Sequence, residues 1–204
     1  MNDTYLATAR LLTEIAPTVF ESGIFALKGG TAINLFLRDM PRLSVDLDLV
    51  FTDHRIPRAD ALAAINEALR TARDRLAKRE FQVQALSAAD MGETKLLVKR
   101  GDLAVKIEVN TVIRGTVHPT RTAALTATAS EALMADLELT LLSPEDIYGG
   151  KLVAAMDRQL GNQQAGQRAV RHALPGIPRH DIDVLAPGVE PDEAREIHGL
   201  LHLA

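Results

Sequence analysis

The chain has 204 residues, 47% of them apolar and 25% charged, with a net charge of −4 and no cysteine. A length and composition of this kind predict a globular protein of one domain with a small appendage, and the acidic balance argues against a broad nucleic-acid-binding face. Disulfides and thiolate metal sites are excluded, no apolar run has the length of a membrane span, and the start Met1-Asn2-Asp3-Thr4 lacks the basic and apolar regions of a leader, so a cytoplasmic protein is expected.

Residues 4–21 read as a helix capped by Asp3 or Thr4, with Leu6, Ala9, Leu12, Ile15 and Val19 as its apolar stripe. Ile24–Leu27 reads as a short strand running into Lys28-Gly29-Gly30-Thr31. A strand that ends in two glycines and turns into a helix frees backbone N–H groups at the helix start, which is a place for phosphate. Thr31 either caps that helix or meets a phosphate oxygen. The helix is expected over Thr31–Leu37, with Pro41 ending it. Arg42 and Ser44 then lead into Val45-Asp46-Leu47-Asp48-Leu49-Val50-Phe51, a strand by its alternation. Side chains two apart on a strand share a face, so Asp46 and Asp48 project together, their Cα atoms roughly 6.5–7 Å apart at about 3.3 Å per residue. Both interrupt an apolar segment, where a carboxylate is costly unless compensated. A hard divalent cation such as Mg²⁺ compensates it and keeps positions open for substrate phosphates.

From Pro57 to about Lys78 the sequence predicts a long helix with Leu62, Ile65, Leu69 and Leu76 buried. Phe81–Ala85 is a predicted strand, and Thr94–Lys99 and Leu103–Val112 form a predicted hairpin turned at Arg100-Gly101-Asp102. On its second strand Ala104, Lys106, Glu108 and Asn110 lie on one face and Val105, Ile107 and Val109 on the other. Glu108 is thus a third carboxylate in an apolar strand; the plainer reading leaves Lys106 and Glu108 solvated at an edge. Residues 115–142 read as loop and strand, with Leu137–Leu142 the strand. Ser143-Pro144-Glu145-Asp146 signals a helix start: a hydroxyl N-cap, proline at the first position and acids in the first turn. That helix carries Ile147, Leu152, Val153 and Met156, with Gly149-Gly150-Lys151 inside it. Each interior glycine costs about 1 kcal/mol against alanine, so the pair points to close approach of another backbone or a ligand. Lys151 either reaches a phosphate or snorkels along an amphipathic helix. The histidines, at 54, 118, 172, 180, 198 and 202, show no metal-binding spacing.

Lys28-Gly29-Gly30-Thr31 followed by Arg42-x-Ser44-x-Asp46-x-Asp48 resembles the AbiEii/MenT-type nucleotidyltransferase toxins of the DNA polymerase β-like superfamily, over roughly residues 5–160. The resemblance implies an α+β, polymerase β-like nucleotidyltransferase fold: a mixed sheet flanked by helices. It implies a nucleotidyltransferase core over 1–142 and a C-terminal helical region over 143–204, shortened or altered after about residue 160. Glu108 becomes the third metal-binding carboxylate beside Asp46 and Asp48, with two Mg²⁺ ions as cofactor and an NTP as substrate. Gly29, Gly30, Thr31, Arg42, Ser44 and Lys151 are assigned to the nucleotide, Lys151 also to catalysis; Lys28 either assists or pairs with an acid. The implied reaction moves a nucleoside monophosphate to an acceptor hydroxyl, the tRNA 3′ end in relatives. The implied role is the toxin of a toxin–antitoxin system, with a cognate antitoxin as partner. Lys95, Lys99, Arg100, Lys106, Arg114 and Arg121 are candidates for a basic strip along RNA, or are simply solvated charges.

The chain departs from the family pattern after Arg158-Gln159. Leu160–Leu174 is rich in Gly, Gln and Ala, and a partial echo of the family's acidic motif comes only at Pro178-Arg179-His180-Asp181-Ile182-Asp183, where Asp181 is a candidate active-site acid. One short helix, Pro191–Leu203, is expected beyond it. Two other readings stand beside RNA nucleotidylation: transfer to a small molecule or a protein, and nucleotide binding without transfer.

Overall fold

The computed structural model describes residues 3–41, 44–88, 92–112 and 114–156. In chain order the elements are α1 (Asp3–Phe20), β1 (Phe25–Lys28), α2 (Gly29–Ala32) continued by a π-helical turn (Ile33–Leu37), β2 (Asp46–Phe51) and α3 (Arg58–Lys78). Then follow β3 (Gln82–Ala88), β4 (Gly92–Arg100), β5 (Leu103–Asn110), β6 (Arg121–Ala124), α4 (Ala127–Leu133), β7 (Glu138–Leu141) and α5 (Pro144–Met156). The chain divides into two compact units, Met1–Ser143 and Pro144–Ala204; in the second, α5 is the element described.

The first unit is α+β. Its seven strands form one mixed sheet in the order β3-β4-β5-β2-β1-β7-β6. β2 runs parallel to β5 and β1 parallel to β7, while the other neighbours are antiparallel. The alternation read from the sequence decides the two faces. Leu47 and Leu49 of β2, Val105, Ile107 and Val109 of β5, and Leu96 and Val98 of β4 are buried together. The helices α1 and α3 supply the matching apolar surface: Leu12, Ile15 and Val19 from one, Ile65, Leu69 and Leu76 from the other. Burial of such side chains, about 1.5–3 kcal/mol each, is what holds the layers together. The opposite face of the same strands carries the polar positions: Asp46, Asp48, Lys106, Glu108 and Lys95 are all half-buried.

Several details differ from the sequence expectation. The helix after the glycines starts at Gly29 rather than Thr31 and is π-helical in its second half, while its end falls where expected. It ends at Leu37, where the Arg38 amide closes a five-residue turn onto the Ile33 carbonyl at 2.8 Å and Arg38 itself is extended. Leu62 is half-buried, because the stripe of α3 that faces the sheet is Ala61, Ile65, Ala68, Leu69, Ala72 and Leu76. The stretch 115–142 holds β6 and α4 besides the expected strand. β6 has no apolar alternation because Arg121, Thr122 and Ala124 are exposed on it. α4 buries only Ala129 and Leu133, one turn apart, and stops where Met134 takes a left-handed conformation (φ 53°).

Candidate active site

The site begins with register. Lys28 opposes Asp48 across β1 and β2, Asp48 opposes Glu108 across β2 and β5, and Glu108 opposes Lys95 across β5 and β4. One row across four strands therefore reads plus, minus, minus, plus. Asp46 sits in the next row, opposite Lys106. Asp46 and Asp48, expected on one face from their spacing, share it with Glu108.

The glycine turn is fitted to this row. Gly29 has φ of 76°, a left-handed conformation that side chains rarely adopt. A Cβ there would run into Oδ2 of Asp48 and lie 3.1 Å from its Cβ and Cγ. The turn thus presses its backbone against the acid. Lys28, extended, occupies the cap position of α2 and makes no side-chain capping bond. Thr31 makes its hydrogen bonds within the protein. It is 1% exposed, its hydroxyl donates to the Asp46 carbonyl at 2.5 Å, and it is hydrogen-bonded to the Ser44 hydroxyl at 3.0 Å. Its role is to tie the glycine turn to the start of β2. Ser44, half-buried, keeps contact with both the turn and the surface. Asn34 was not singled out by its sequence context. Its amide donates to the Gly30 carbonyl at 2.7 Å from a buried position; the signal for it was its place one turn beyond Gly30 on the same helix.

Electrostatics separates the acids. Burial raises the pKa of the Asp48 carboxyl; Lys28 works against that, while Asp46 and Glu108 add to it. Glu108 is held below the usual glutamate range, first by its hydrogen bond from Lys95 and then by Lys106, against a burial effect of opposite sign. Burial disfavours the charge on Lys106, but Glu108, Asp46 and Asp48 outweigh it and its pKa is raised. Glu108 makes ion pairs to Lys95 at 2.8 Å and Lys106 at 3.2 Å. Among the described residues no group of three acids or histidines is already gathered as a metal site. The donor set nevertheless suits a hard cation: carboxylate oxygens alone, a backbone cradle at Gly29 that a side chain would fill, and an acid destabilised by burial in the metal-free state.

The other expected site residues fall into three groups. Arg42, Asp181 and Asp183 lie outside the described residues, as do the departure after Arg158 and the helix over Pro191–Leu203. Lys151 is half-buried on α5. Among the described residues no atom would meet a Cβ at Gly149 or Gly150 within 4 Å. On the same helix Ile147 is buried, Leu152 half-buried and Val153 exposed, and the Met156 side chain lies outside the description. The basic strip does not form as one surface. Lys95, Lys99 and Lys106 share the acid face of β4 and β5. Arg100 points the other way, paired with Glu14 of α1 at 2.6 and 2.7 Å and stacked on Phe81. Arg114 donates to the Ile56 carbonyl at 3.3 Å, and Arg121 stands on β6 at the far edge of the sheet.

The described residues thus form a mixed sheet with two acids on one face of β2 and a glycine turn pressed against one of them, Asp48. The family model for the nucleotidyl transferase AbiEii toxin of a type IV toxin–antitoxin system matches residues 10–195. The chain belongs to this family and is an enzyme of the nucleotidyltransferase type; the family implies a nucleotide substrate and an antitoxin partner. No curated protein matches. Among solved structures, the chain is similar to an antigenic nucleotidyltransferase-like protein from Paracoccidioides brasiliensis, at 18% identity over 87% of this chain and 78% of that one, with a TM-score of 0.48. Among the described residues no helix is long and apolar enough to cross a membrane.

Gly29→Ala should lower stability by more than 1 kcal/mol, roughly, through its positive φ and the contact with Asp48. Gly150→Ala, in an exposed helix position, should be neutral or stabilising by up to about 1 kcal/mol. Chemical denaturation of both variants checks the contrast; an unaffected Gly29→Ala protein would contradict the fitted turn. Asp48→Asn tests the burial effect. A carboxyl whose folded pKa is raised contributes stability below its unfolded pKa and loses it as pH rises through the folded pKa. In EDTA at neutral pH the variant should therefore melt higher than wild type. The difference should vanish below about pH 4, where both side chains are neutral. A lower melting temperature at neutral pH would contradict it.

Proposed function

We propose that the chain transfers a nucleoside monophosphate from an NTP to an acceptor hydroxyl of RNA, at the tRNA 3′ end, and acts in this way as the toxin of its toxin–antitoxin system. The observation that carries this reading is the contact between the Gly29 turn and Asp48, on the face that also bears Asp46 and Glu108. In this reading residues 1–142 form the nucleotidyltransferase core and 143–204 a C-terminal helical region.

The roles follow from chemistry. Asp46, Asp48 and Glu108 would hold Mg²⁺, which when bound supplies the charge that acidifies the attacking hydroxyl and steadies the departing pyrophosphate. Gly29 and Gly30 offer backbone N–H groups to phosphate oxygens, and Ser44 adds a hydroxyl from the start of β2. Lys28, opposite Asp48, steadies that carboxylate while it remains charged. Asn34 and Thr31 fix the turn, so that the cradle is set before the nucleotide arrives. Lys151 is assigned to phosphate charge on its sequence context alone. In the reaction the acceptor oxygen bonds to the α-phosphorus, the bond from that phosphorus to the bridging oxygen breaks, and pyrophosphate carries away the electron pair; the hydroxyl proton is released to water.

The deciding experiment incubates the full chain with each labelled NTP, Mg²⁺ and total tRNA. Wild type should move label into RNA, and Asp48→Ala should lose at least about a hundredfold in rate, the scale of removing a charge-stabilising group. Lys151→Ala should also slow transfer and relieve growth inhibition on expression. Label transfer that survives Asp48→Ala would remove the metal role. Transfer by wild type to a small molecule or protein, and to no RNA, would move the acceptor to those classes.

A further inference from the structure

Glu108 differs from the other two acids of the face in what holds it. Its Oε1 is 2.8 Å from Nζ of Lys95 and its Oε2 is 3.2 Å from Nζ of Lys106. Among the described residues no such ion pair engages Asp46 or Asp48. The two lysines reach Glu108 from different strands: Lys95 from directly opposite on β4, and Lys106 from two positions earlier on β5, where it also stands opposite Asp46. Two ammonium groups therefore stand around the third carboxylate, and both of its oxygens are engaged.

We propose that Lys95 and Lys106 are a latch on the third acid. They neutralise Glu108 while no nucleotide is bound, and the triphosphate of an incoming nucleotide draws them off, freeing the carboxylate for the cation. The proposal rests on the reading of Glu108 as a metal-binding acid. Three features give the latch its properties. Carboxylate oxygens engaged by lysine offer less charge to a cation. The pairs are half-exposed, with side-chain exposures of 43% and 42% for the lysines and 33% for Glu108, so each is weak enough to be exchanged. A lysine is a mobile point charge on a flexible stem, able to move from a carboxylate to a phosphate without rearranging the strand. Metal and nucleotide then bind together rather than metal first, and the coupling is reciprocal: nucleotide raises metal affinity by the same factor as metal raises nucleotide affinity. Lys95 and Lys106 are in this account positioning residues that decide when the site is complete.

The test is a Mn²⁺ titration of the full chain, read by the electron paramagnetic resonance of the free ion, with and without a non-hydrolysable NTP. Lys95→Gln and Lys106→Gln should each tighten Mn²⁺ binding about two- to fivefold in the absence of nucleotide, the range of an exposed ion pair, and should shrink the gain that nucleotide gives by the same factor. Placed on Glu108→Gln, neither should tighten binding. Lys99→Gln, on the same face of β4 but not paired with Glu108, should change little. Equal tightening by Lys99→Gln, or tightening that persists in the Glu108→Gln background, would mean a general charge effect and overturn the latch. If Glu108→Gln weakens Mn²⁺ binding but the lysine variants leave it unchanged, the metal reading of Glu108 stands and the latch falls. If Glu108→Gln leaves Mn²⁺ affinity unchanged with nucleotide present, the metal reading falls and the latch with it.

Discussion

Asp48 places a charge on a strand whose alternate residues form the core, and the geometry around it is organised to tolerate that charge. Leu47 and Leu49 anchor the strand under α1 and α3, so the carboxylate cannot withdraw from the opposite face. Lys28 answers it from one neighbouring strand, while Glu108 on the other adds charge of the same sign. Burial and like charge together hold the carboxyl in a state that a cation would relieve.

The glycine turn is the second half of the same constraint. Gly29 is required twice, by its backbone conformation and by the lack of space beside Asp48. Thr31 and Asn34 then remove the freedom that two adjacent glycines would otherwise give the turn, one by bonding to β2 and one by bonding back to Gly30. Neither needs to touch substrate to matter. The turn is held in place by hydrogen bonds made inside the protein.

Much of this was legible from residue order. The alternation of Val45 to Phe51 placed two acids on one face, and that of Leu103 to Asn110 placed Glu108 on a strand with Val105 and Ile107 turned inward; the sheet has both. What periodicity cannot carry is which strands become neighbours. The parallel pairing of β2 with β5 joins residues sixty positions apart, and only that pairing makes Asp48 and Glu108 neighbours. The same limit explains Lys95, Lys106 and Arg100. Read along the chain they are one basic run, but strand geometry sends Arg100 to Glu14 on the helix side and the two lysines to Glu108. The sequence context of Thr31 suggests a cap or a phosphate contact; its burial and its bond to β2 come from the strand pairing, which residue order does not carry. β6 and α4 escaped notice because one lacks alternation and the other has a single buried turn.

The account stands on one arrangement: a cation held by residues 46, 48 and 108 beside a triphosphate lying on the turn of residues 29 and 30. Anomalous X-ray scattering from Mn²⁺ in crystals grown with a non-hydrolysable NTP measures it directly. The account predicts a peak within about 2.5 Å of carboxylate oxygens of Asp46 and Asp48, with Glu108 turned toward it and phosphate oxygens against the amides of Gly29 and Gly30. A peak remote from these acids, or a triphosphate bound away from the glycine turn, would contradict it.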